Sequence, residues 1–597
     1  MNSPILVDRA PGARIFQARG ASVRAHTRLR ALAGALAPKR TERGHLRFVP
    51  LGGCGEVTRS CYVYEYEDDI VIVDMGLQFP DEDMPGIDYL IPNVEYLRGR
   101  RKNIRGVIIT HGHYDHIGAI PHLMDALGNP PLYATALTRG VILKRQEDFT
   151  RLSRPEIHVI TPESRLKLGS FGVEFFHVNH NIPDSVGVVL KTPVGTVVHT
   201  GDFKFDHSPV NERPADIARL SDLGKQGVLL LVSESTDAEM PGHQISETEV
   251  QKSLEEIFKV ARGRIIAATF SSLLTRIQQL IWLSEKYNRK VVIEGHSMKQ
   301  NVAVAQALGY LKVKKGTLID SKELGDFPDE RITIACTGAQ GEDRAVLMRI
   351  ANNEHRTIAL KPNDSIIFSS SVIPGNEISV QKLKDNLYRH NVTLIHYRSS
   401  DVHSTGHGNT GELVWINKQV NAKFFMPAYG YRSMTTCHAK AVEQSGFPRE
   451  NIVLADNGTV IDIEDGERMN VHKQKVPSAQ MVVDGFSIGD IQEVVIRDRQ
   501  SLAKDGMFVI IASVNLKTGK LRKSPDIISR GFIYLRESQN LLNEARVLIK
   551  KTIEDSTRNM NPIDLDYAKN NLTDVIAGFL FSRTNKAPMV IPVLIGM

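Results

Sequence analysis

Four side chains that commonly bind metal ions lie within six consecutive residues of this chain. They follow an apolar run at Val107–Thr110 and are His111, His113, Asp115 and His116. Neutral imidazole and carboxylate are standard ligands of zinc and similar ions. In a tight loop, alternate residues can face one ion while Asp115 and His116 reach a second. A histidine-rich loop in solvent is the alternative, but H-x-H-x-D-H directly after a strand is a specific pattern and predicts a metal site.

Two further candidate ligands follow later strands. His180 comes after the run Val173–Val178, and Asp202 lies in the stretch HTGDFKFD after Thr196–His199. A single histidine or aspartate at a strand end is usually structural, but both follow the first motif at distances that suit one edge of a β-sandwich. A carboxylate can bridge two ions, and paired ions lower the pKa of a shared water. The predicted chemistry is therefore hydrolysis, with a phosphodiester as the candidate substrate.

The elements that must position these residues fall into stretches of different pattern. Short β-rich runs with few helices fill residues 46–199, whereas strands alternate with helices over residues 228–369. Such alternation predicts a parallel sheet with helices on its faces. Residues 391–465 are strand-rich again, and a polar stretch over 474–480 has the composition of a linker. The pattern beyond it predicts a small α/β unit with strands near Met507–Leu516 and Gly531–Leu535 and a helix at Leu541–Asp555.

Composition and charge narrow the class of protein. Of the 597 residues, 42% are hydrophobic and 24% charged, as in ordinary globular proteins. The longest apolar stretches are far shorter than the about 20 residues that span a bilayer, so no membrane association is expected. The four cysteines form no C-x-x-C pair, which argues against a disulfide framework and predicts a reducing, cytoplasmic location.

The positive charge of the chain is concentrated at its start. Residues 1–44 carry nine basic and two acidic side chains, a net charge of +7, and the remaining chain is −1. We expect residues 1–44 to be a disordered basic tail, with an organellar transit peptide as the alternative. A folded body without excess positive charge would have to bind nucleic acid in a local cleft.

Seven further motifs accompany the candidate metal ligands. They are GLQFPDEDMPGIDYLIPN at Gly76–Asn93, SEST at Ser233–Thr236, GHSMKQN at Gly295–Asn301, CTGAQGE at Cys336–Glu342, IPGNE at Ile373–Glu377, HSTGHG at His403–Gly408 and SRGFIYLRES at Ser529–Ser538. Together with the H-x-H-x-D-H motif they resemble the β-CASP branch of the metallo-β-lactamase superfamily and, within it, the bacterial ribonuclease J family. The resemblance extends from Leu46 to the end of the chain.

The resemblance implies an α/β fold, a metallo-β-lactamase αββα sandwich with an inserted β-CASP parallel-sheet domain and a small C-terminal α/β domain. The implied boundaries are 45–231 for the first part of the sandwich, 232–405 for the β-CASP domain, 406–470 for the completing part, 471–482 for a linker and 483–597 for the C-terminal domain.

The resemblance also implies a role for each candidate site residue. His111, His113 and His180 would bind one ion, Asp115 and His116 the other, and Asp202 would bridge them. His407 would donate a proton to the leaving oxygen, and Glu234, as the acidic residue of the β-CASP domain, would orient it. The loops with Ser369, Ser370, His403, Ser404 and Thr405 would hold substrate phosphates. Ordinary turn chemistry is the alternative for these loops, because serine and threonine favour turns.

Two positions depart from the family pattern. The first is Tyr114, where the family usually has an acid, and this position is not a ligand. The second concerns a ligand. The family has a metal-binding histidine in a P-x-H-G-E-Y-R-M segment, and Tyr429 stands at that position here, after Pro427-Ala428. A phenol is a poorer ligand at neutral pH because its pKa is about 10. Tyr429 is thus a doubtful ligand of the second ion, and the nearby His438 is interpreted as structural.

The function implied by the resemblance is that of a metal-dependent ribonuclease. It would have 5′-to-3′ exonuclease activity, favouring RNA with a 5′-monophosphate end, together with endonuclease activity in RNA turnover and rRNA maturation. It would hold two divalent ions, Zn²⁺ or else Mn²⁺ or Mg²⁺, and act as a homodimer or homotetramer or together with a paralogue.

Two alternatives remain at the level of sequence. Tyr429 favours a degenerate, non-catalytic RNA-binding paralogue or subunit, which the retained ligands and His407 oppose. A small-molecule thioester or lactam hydrolase of the same superfamily is opposed by the inserted domain and its phosphate-type loops.

Overall fold

The computed structural model of the chain describes residues 44–81, 83–342, 344–373, 375–485, 487–489, 493–533, 538–558 and 560–597. The basic tail expected over residues 1–44 lies outside this part of the chain except for Gly44. The described residues form two compact units. One contains the described residues 44–76 together with those of Pro92–Ala479, and the other contains those of Leu77–Ile91 and Gln480–Met597.

The strands are numbered in chain order. They are β1 His45–Gly52, β2 Cys61–Tyr66, β3 Asp69–Val73, β4 Tyr89–Ile91, β5 Ile104–Ile108, β6 Leu132–Ala134, β7 Ile157–Val159, β8 Arg165–Leu168, β9 Phe171–His177, β10 Val186–Thr192, β11 Gly195–His199, β12 Leu230–Glu234, β13 Ile265–Ala268, β14 Lys290–Glu294, β15 Ile332–Cys336, β16 Ser365–Phe368, β17 Thr393–His396, β18 Phe424–Ala428, β19 Ile461–Glu464, β20 Arg468–Val471, β21 Met481–Asp484, β22 Ser487–Gly489, β23 Met507–Val514, β24 Asp526–Arg530 and β25 Met589–Gly596.

The α-helices are numbered in the same way. They are α1 Tyr114–Ile117, α2 Ile120–Leu127, α3 Ala136–Gln146, α4 Ile217–Gln226, α5 Glu247–Val260, α6 Leu274–Lys286, α7 His296–Ala307, α8 Val346–Ala351, α9 Glu377–Tyr388, α10 Thr410–Val420, α11 Arg432–Gln444, α12 Glu493–Asp505, α13 Gln539–Thr557 and α14 Leu565–Thr584. Short 3-10 helices occupy Glu95–Asn103, Glu147–Phe149, Ser321–Asp326, Asp329–Arg331 and Arg449–Asn451.

Two facing sheets form the sandwich of the first unit. One has the strand order β20-β19-β1-β2-β3-β5-β6-β7 and the other β18-β12-β11-β10-β9-β8. Their inner faces share one apolar core that includes Phe48, Val71, Val188 and Phe424. Burying each such side chain contributes about 1.5–3 kcal/mol. On the outer face of the second sheet, residues of α4, α10 and α11 form another core, and the predicted αββα sandwich is confirmed.

The sandwich is completed by strands that follow the inserted domain. β1 pairs antiparallel with β19, and β12 pairs parallel with β18. These pairings join segments more than 190 residues apart, so the insertion leaves both sheets continuous. Residues 391–465, predicted to be strand-rich, also contain α10 and α11. Both helices pack an apolar stripe against the sheet. Short β-rich runs flank these two helices, and they give the whole stretch its strand-rich pattern.

The inserted domain is built on five strands in the order β14-β15-β13-β16-β17, all parallel. Successive residues of β13 point to opposite faces, as strand geometry requires. Ile265 packs in the core formed with α5, α6 and α7, whereas Ile266 packs in the core formed with α8 and α9. The predicted parallel sheet with helices on both faces is confirmed.

The expected boundary of this domain at residue 232 falls inside a strand of the sandwich. β12 continues to Glu234, whose partner in the register is Ala428 of β18. Glu234 therefore belongs to the core sheet and not to the inserted domain, because the parallel pairing with β18 continues to the end of β12.

The second unit contains two small sheets, β22-β21-β4 and β24-β23-β25. Helices α13 and α14 pack on the second of these through residues such as Ile549 and Ile576. The sequence assigned residues 77–91 to the sandwich, but β4 pairs with β21, and these backbone hydrogen bonds place the segment in the second unit.

The elements predicted for the C-terminal domain are only partly those that form. The helix expected at Leu541–Asp555 lies within α13. The strand expected at Gly531–Leu535 does not begin there, because β24 ends at Arg530 and residues 531–533 are not in a strand. Residues 534–537 lie outside the described part of the chain.

Candidate metal centre

The candidate ligands lie on loops at the ends of strands from both sheets. His111 and His113 follow β5, and Asp115 and His116 begin α1 immediately afterwards. His180 follows β9, and Asp202 follows β11. Because these strands end at the same edge of the sandwich, side chains that are up to 91 residues apart meet.

Three imidazoles converge on one point. The Nδ1 atom of His113 lies 3.1 Å from Nε2 of His111 and 3.0 Å from Nε2 of His180. Burial and the neighbouring imidazoles lower the pKa of His111 and His180 well below the ordinary value, and burial lowers the pKa of His113 to about 4. Three neutral rings with nitrogens this close offer the lone pairs that a zinc-like ion requires.

Asp202 lies between these imidazoles and the second pair of ligands. Its Oδ2 is 3.2 Å from Nε2 of His116 and 3.8 Å from Nε2 of both His111 and His180. Asp115 Oδ2 is 3.5 Å from the same His116 nitrogen. Asp202 Oδ1 and His116 Nε2 are buried without a hydrogen-bond partner among the described residues. Since such atoms are costly to bury, the donor set fits divalent ions.

Hydrogen bonds behind the ligands fix their tautomers. The carbonyl of Gly406 accepts the Nδ1–H of His180 at 2.6 Å, and the Asp74 carboxylate accepts the Nδ1–H of His116 at 2.7 Å. Each bond leaves the Nε2 lone pair free for a metal ion. Sequence reasoning missed Asp74, which is fully buried. The signal in the sequence is an aspartate directly after the apolar run Ile70–Val73.

His407 and Glu234 form a hydrogen-bonded pair beside this cluster. His407 Nδ1 lies 2.7 Å from Glu234 Oε2 and 3.9 Å from Asp202 Oδ2, and Glu234 Oε1 accepts the backbone N–H of Phe203 at 2.6 Å. Burial lowers the pKa of His407, but the Glu234 carboxylate overcomes that effect and raises it above the ordinary value. Burial in turn raises the pKa of Glu234 to about 7, and the hydrogen bond between the two side chains holds the His407 ring in place.

Three family models match successive parts of the chain. They are described as "Metallo-beta-lactamase superfamily" over residues 54–262, "Ribonuclease J, beta-CASP domain" over 262–387 and "Ribonuclease J C-terminal domain" over 494–597. The chain is 38% identical to ribonuclease J 1 of Streptococcus pyogenes over 91% of its own length and 96% of that protein. The chain belongs to the ribonuclease J family.

Other comparisons agree with this membership. The chain is 36% identical to ribonuclease J of Thermus thermophilus, over 92% of this chain and 95% of that one. A solved structure of a protein of unknown function from Enterococcus faecalis aligns with 70% of this chain and all of its own, with a TM-score of 0.50 and 15% identity. The latter likeness concerns the fold alone.

In this ribonuclease J homologue, two hydroxyls of the predicted phosphate loops form hydrogen bonds within the protein. Ser369 Oγ donates to the carbonyl of Val402 at 2.6 Å and contacts the Arg276 guanidinium. Ser404 Oγ donates to the carbonyl of Ile245 at 2.8 Å and accepts from Lys204 Nζ at 3.1 Å. These two hydroxyls thus join their loops to distant parts of the chain.

The other three residues of these loops differ in their partners. Ser370 Oγ lies 3.3 Å from Gln340 Nε2, and Thr405 Oγ1 accepts from Gln244 Nε2 at 2.7 Å. Both ring nitrogens of His403 are buried and have no hydrogen-bond partner among the described residues. Among these five residues, His403 thus has two ring nitrogens that a substrate could contact.

The hydroxyl of Tyr429 has hydrogen-bond partners that are not candidate ligands. Its hydrogen-bond partners are Asp74 Oδ2 at 3.2 Å and Nε2 of His199. Its ring stacks on that of His116 with centroids 5.4 Å apart. His438 is fully buried with Nδ1 3.0 Å from Ser235 Oγ, as expected of a structural residue.

Proposed function

We propose that this ribonuclease J homologue is a metal-dependent ribonuclease that hydrolyses RNA phosphodiester bonds at the Asp202 centre. The observation that carries the proposal is the convergence of the His111, His113 and His180 ring nitrogens on Asp202, beside the hydrogen-bonded pair of His407 and Glu234. The names of the relatives, ribonuclease J and ribonuclease J 1, support RNA as the substrate.

The proposed cofactors are two divalent ions, with Zn²⁺ favoured over Mn²⁺ or Mg²⁺ by the imidazole ligands. His111, His113 and His180 would hold one ion, Asp115 and His116 the other, and Asp202 both. Bound ions would supply Lewis-acid activation of a water molecule and neutralise charge on the scissile phosphate. No helix among the described residues is long and apolar enough to cross a membrane.

Within the proposed reaction, His407 supplies the proton for the leaving oxygen. Its Nδ1–H is bound to Glu234, so the opposite ring nitrogen carries the proton that can be transferred. Glu234 is buried in β12 and anchored by the Phe203 amide, so it holds the ring in one orientation. The proposed roles are therefore proton donor for His407 and positioning group for Glu234.

Further features of the proposal rest on family membership. They are 5′-to-3′ exonuclease action on RNA with a 5′-monophosphate end, endonuclease action, a part in RNA turnover and rRNA maturation, assembly into a homodimer or homotetramer or with a paralogue, and a cytoplasmic location. In the proposed substrate site, His403 and Ser370 contact phosphates while Ser369, Ser404 and Thr405 hold the loops. The free state of all four cysteines supports a reducing compartment.

A cleavage assay tests the proposal. The protein is incubated with an RNA labelled at its 3′ end that carries either a 5′-monophosphate or a 5′-triphosphate, with added Zn²⁺ or Mn²⁺ and with a chelator. We expect metal-dependent cleavage that is faster on the monophosphorylated RNA and stops with the chelator. RNA binding without cleavage at any metal concentration, with cleavage restored by Tyr429→His, would instead favour the non-catalytic paralogue.

A further inference from the structure

Tyr429 occupies an unusual and tightly fixed place in the sandwich. It directly follows β18 with φ +52°, in the left-handed region that bulky residues rarely adopt. Its backbone N–H donates to the carbonyl of Gly53 at 2.7 Å, and its side chain is 1% exposed. A strained backbone conformation of this kind persists only when the surrounding contacts fix it, so the orientation of the Tyr429 side chain is fixed as well.

The hydroxyl of Tyr429 is one link in a chain of buried hydrogen bonds. Because the Asp74 carboxylate can only accept, Tyr429 donates its single proton to Asp74 Oδ2 at 3.2 Å. His199 Nε2–H then donates to the phenol oxygen, and His199 Nδ1 accepts from the hydroxyl of Tyr64 at 2.7 Å. With the Asp74 carboxylate as the acceptor of the Tyr429 proton, this direction of the bonds assigns the Nε2–H tautomer to His199.

This chain of bonds ends on the carboxylate that orients a candidate metal ligand. Asp74 Oδ2 receives the Tyr429 hydroxyl and the Nδ1–H of His116 at 2.7 Å, and Asp74 also accepts two hydrogen bonds from Thr110. The stacking of the Tyr429 ring on His116 adds a second constraint on the same imidazole. Tyr429 therefore contacts the ring of His116 and also Asp74, which binds Nδ1 of His116 and not its Nε2. Its hydroxyl proton is donated to Asp74, and its oxygen accepts from His199.

We propose that Tyr429 is a positioning residue for His116 and not a metal ligand, and that the centre consequently holds two ions of unequal affinity. The tight ion has three imidazoles and Asp202, whereas the weak ion has Asp115, His116 and the shared Asp202. With three protein ligands the second position stays open, as in catalytic zinc sites. This inference rests on the proposed function only in that the centre binds divalent ions.

The test compares metal binding by the natural protein, Tyr429→Phe and a matched control, Tyr62→Phe. The Tyr62 phenol is fully buried in the same core, its ring centroid is 4.8 Å from that of Tyr429, and its hydroxyl donates to Gly53 and not to Asp74. Both variants thus lose one buried phenol hydroxyl, and only one of them loses the bond to Asp74. Zn²⁺ affinities are measured by competition with a chromophoric chelator, and folding is checked by thermal unfolding.

The expected result is two classes of Zn²⁺ site in the natural protein. Tyr429→Phe should leave the tight site unchanged and weaken the other about 10- to 100-fold, the usual effect of losing a group behind a ligand. Tyr62→Phe should change neither affinity. An unchanged weak site in Tyr429→Phe, or two equally tight sites in the natural protein, would overturn the inference.

A spectroscopic measurement separates positioning from ligation. Iron(III) bound by a phenolate has an intense visible charge-transfer band. We expect no such band in the Fe(III)-loaded natural protein, and a band that disappears in Tyr429→Phe would show Tyr429 to be a ligand and overturn the inference. Two classes of metal site in a protein that cleaves no RNA would contradict only the proposed function, and a protein that binds no ion would contradict both.

Discussion

The buried charges around Glu247 and those around Asp202 differ in how completely they are paired. Glu247 receives Arg276 Nη2 at 2.7 Å and Lys204 Nζ at 2.9 Å, and both cations have further hydrogen-bond acceptors. Burial would raise the pKa of Glu247, but the two cations lower it. Around Asp202, by contrast, one carboxylate oxygen and two imidazole nitrogens are buried without hydrogen-bond partners among the described residues.

This difference distinguishes a scaffold from a ligand site. Both groups lie in the first unit, and Glu247, Arg276, Lys204 and Asp202 are buried. Glu247, Arg276 and Lys204 neutralise one another. Arg276 and Lys204 also hydrogen-bond to Ser369 and Ser404, and so connect the two loops. Around Asp202, the unpartnered oxygen and nitrogens are atoms that a cation or a water molecule would satisfy.

The largest effect is expected from Asp202→Asn. An amide cannot bridge two cations with two anionic oxygens, so the variant should lose metal and its RNA cleavage should be abolished. Metal per chain after dialysis and the cleavage rate are the measurements. Asp206→Asn is the matched control, because Asp206 is equally buried, at 4% exposure, and is outside the metal cluster. Unchanged cleavage by Asp202→Asn at saturating metal would refute the proposal that Asp202 holds both ions.

His407→Ala should lower cleavage about 10²- to 10⁴-fold while metal per chain stays constant, because a positioned proton donor contributes on that scale. Glu234→Gln should have a smaller effect, since it removes only the orienting carboxylate. Metal content decides the interpretation, because His407 also lies within ligand distance of His180 and Asp202. Loss of an ion in His407→Ala would make this histidine a ligand.

Arg276→Met tests the paired side of the comparison. It leaves Glu247 with one cation in a buried site, and breaking a buried pair costs about 3–5 kcal/mol in the free energy of unfolding. Urea unfolding measures the change, and the folded fraction should retain its metal. Lys225→Met removes an exposed pair with Asp222 and should cost about 1 kcal/mol or less. Equal losses in the two variants would show that burial does not matter here.

Glu212→Gln tests a single buried carboxyl through the pH dependence of stability. Burial raises the pKa of Glu212 to about 8, with Lys204 lowering it and Glu247 and Asp206 raising it. The folded state then holds the proton more tightly than the unfolded state, whose pKa is about 4.3. Stability contributed by this carboxyl is thus present below pH 4 and is lost as the pH rises toward 8.

The glutamine variant cannot lose that stability. Its free energy of unfolding, relative to the natural protein, should therefore rise between pH 5 and pH 8, by up to a few kcal/mol at about 1.4 kcal/mol per pKa unit. Urea unfolding at pH 5, 6.5 and 8 measures the difference. Parallel pH profiles for the two proteins would mean that Glu212 is solvated or paired in the folded state.

Much of the centre could be predicted from the sequence because its signals are local. Four ligands lie within six residues, and His180 and Asp202 each follow a recognisable strand end. The parallel sheet of the inserted domain was predictable for a similar reason, since alternating strand and helix periods are properties of short windows. Residue type and spacing thus predict the candidate ligands, and the structure brings their side chains together.

The tertiary structure decided which partner each of these groups has. Tyr429 and Asp74 are 355 positions apart and meet only because β12 pairs with β18 and β3 lies in the facing sheet. The same packing assigns Glu234 to the core sheet, engages the Ser369 hydroxyl internally and pairs residues 89–91 with β21. Sequence periodicity reports the local backbone conformation, whereas hydrogen-bond partners follow from the packing of distant strands, so only the fold could show which groups Tyr429 contacts.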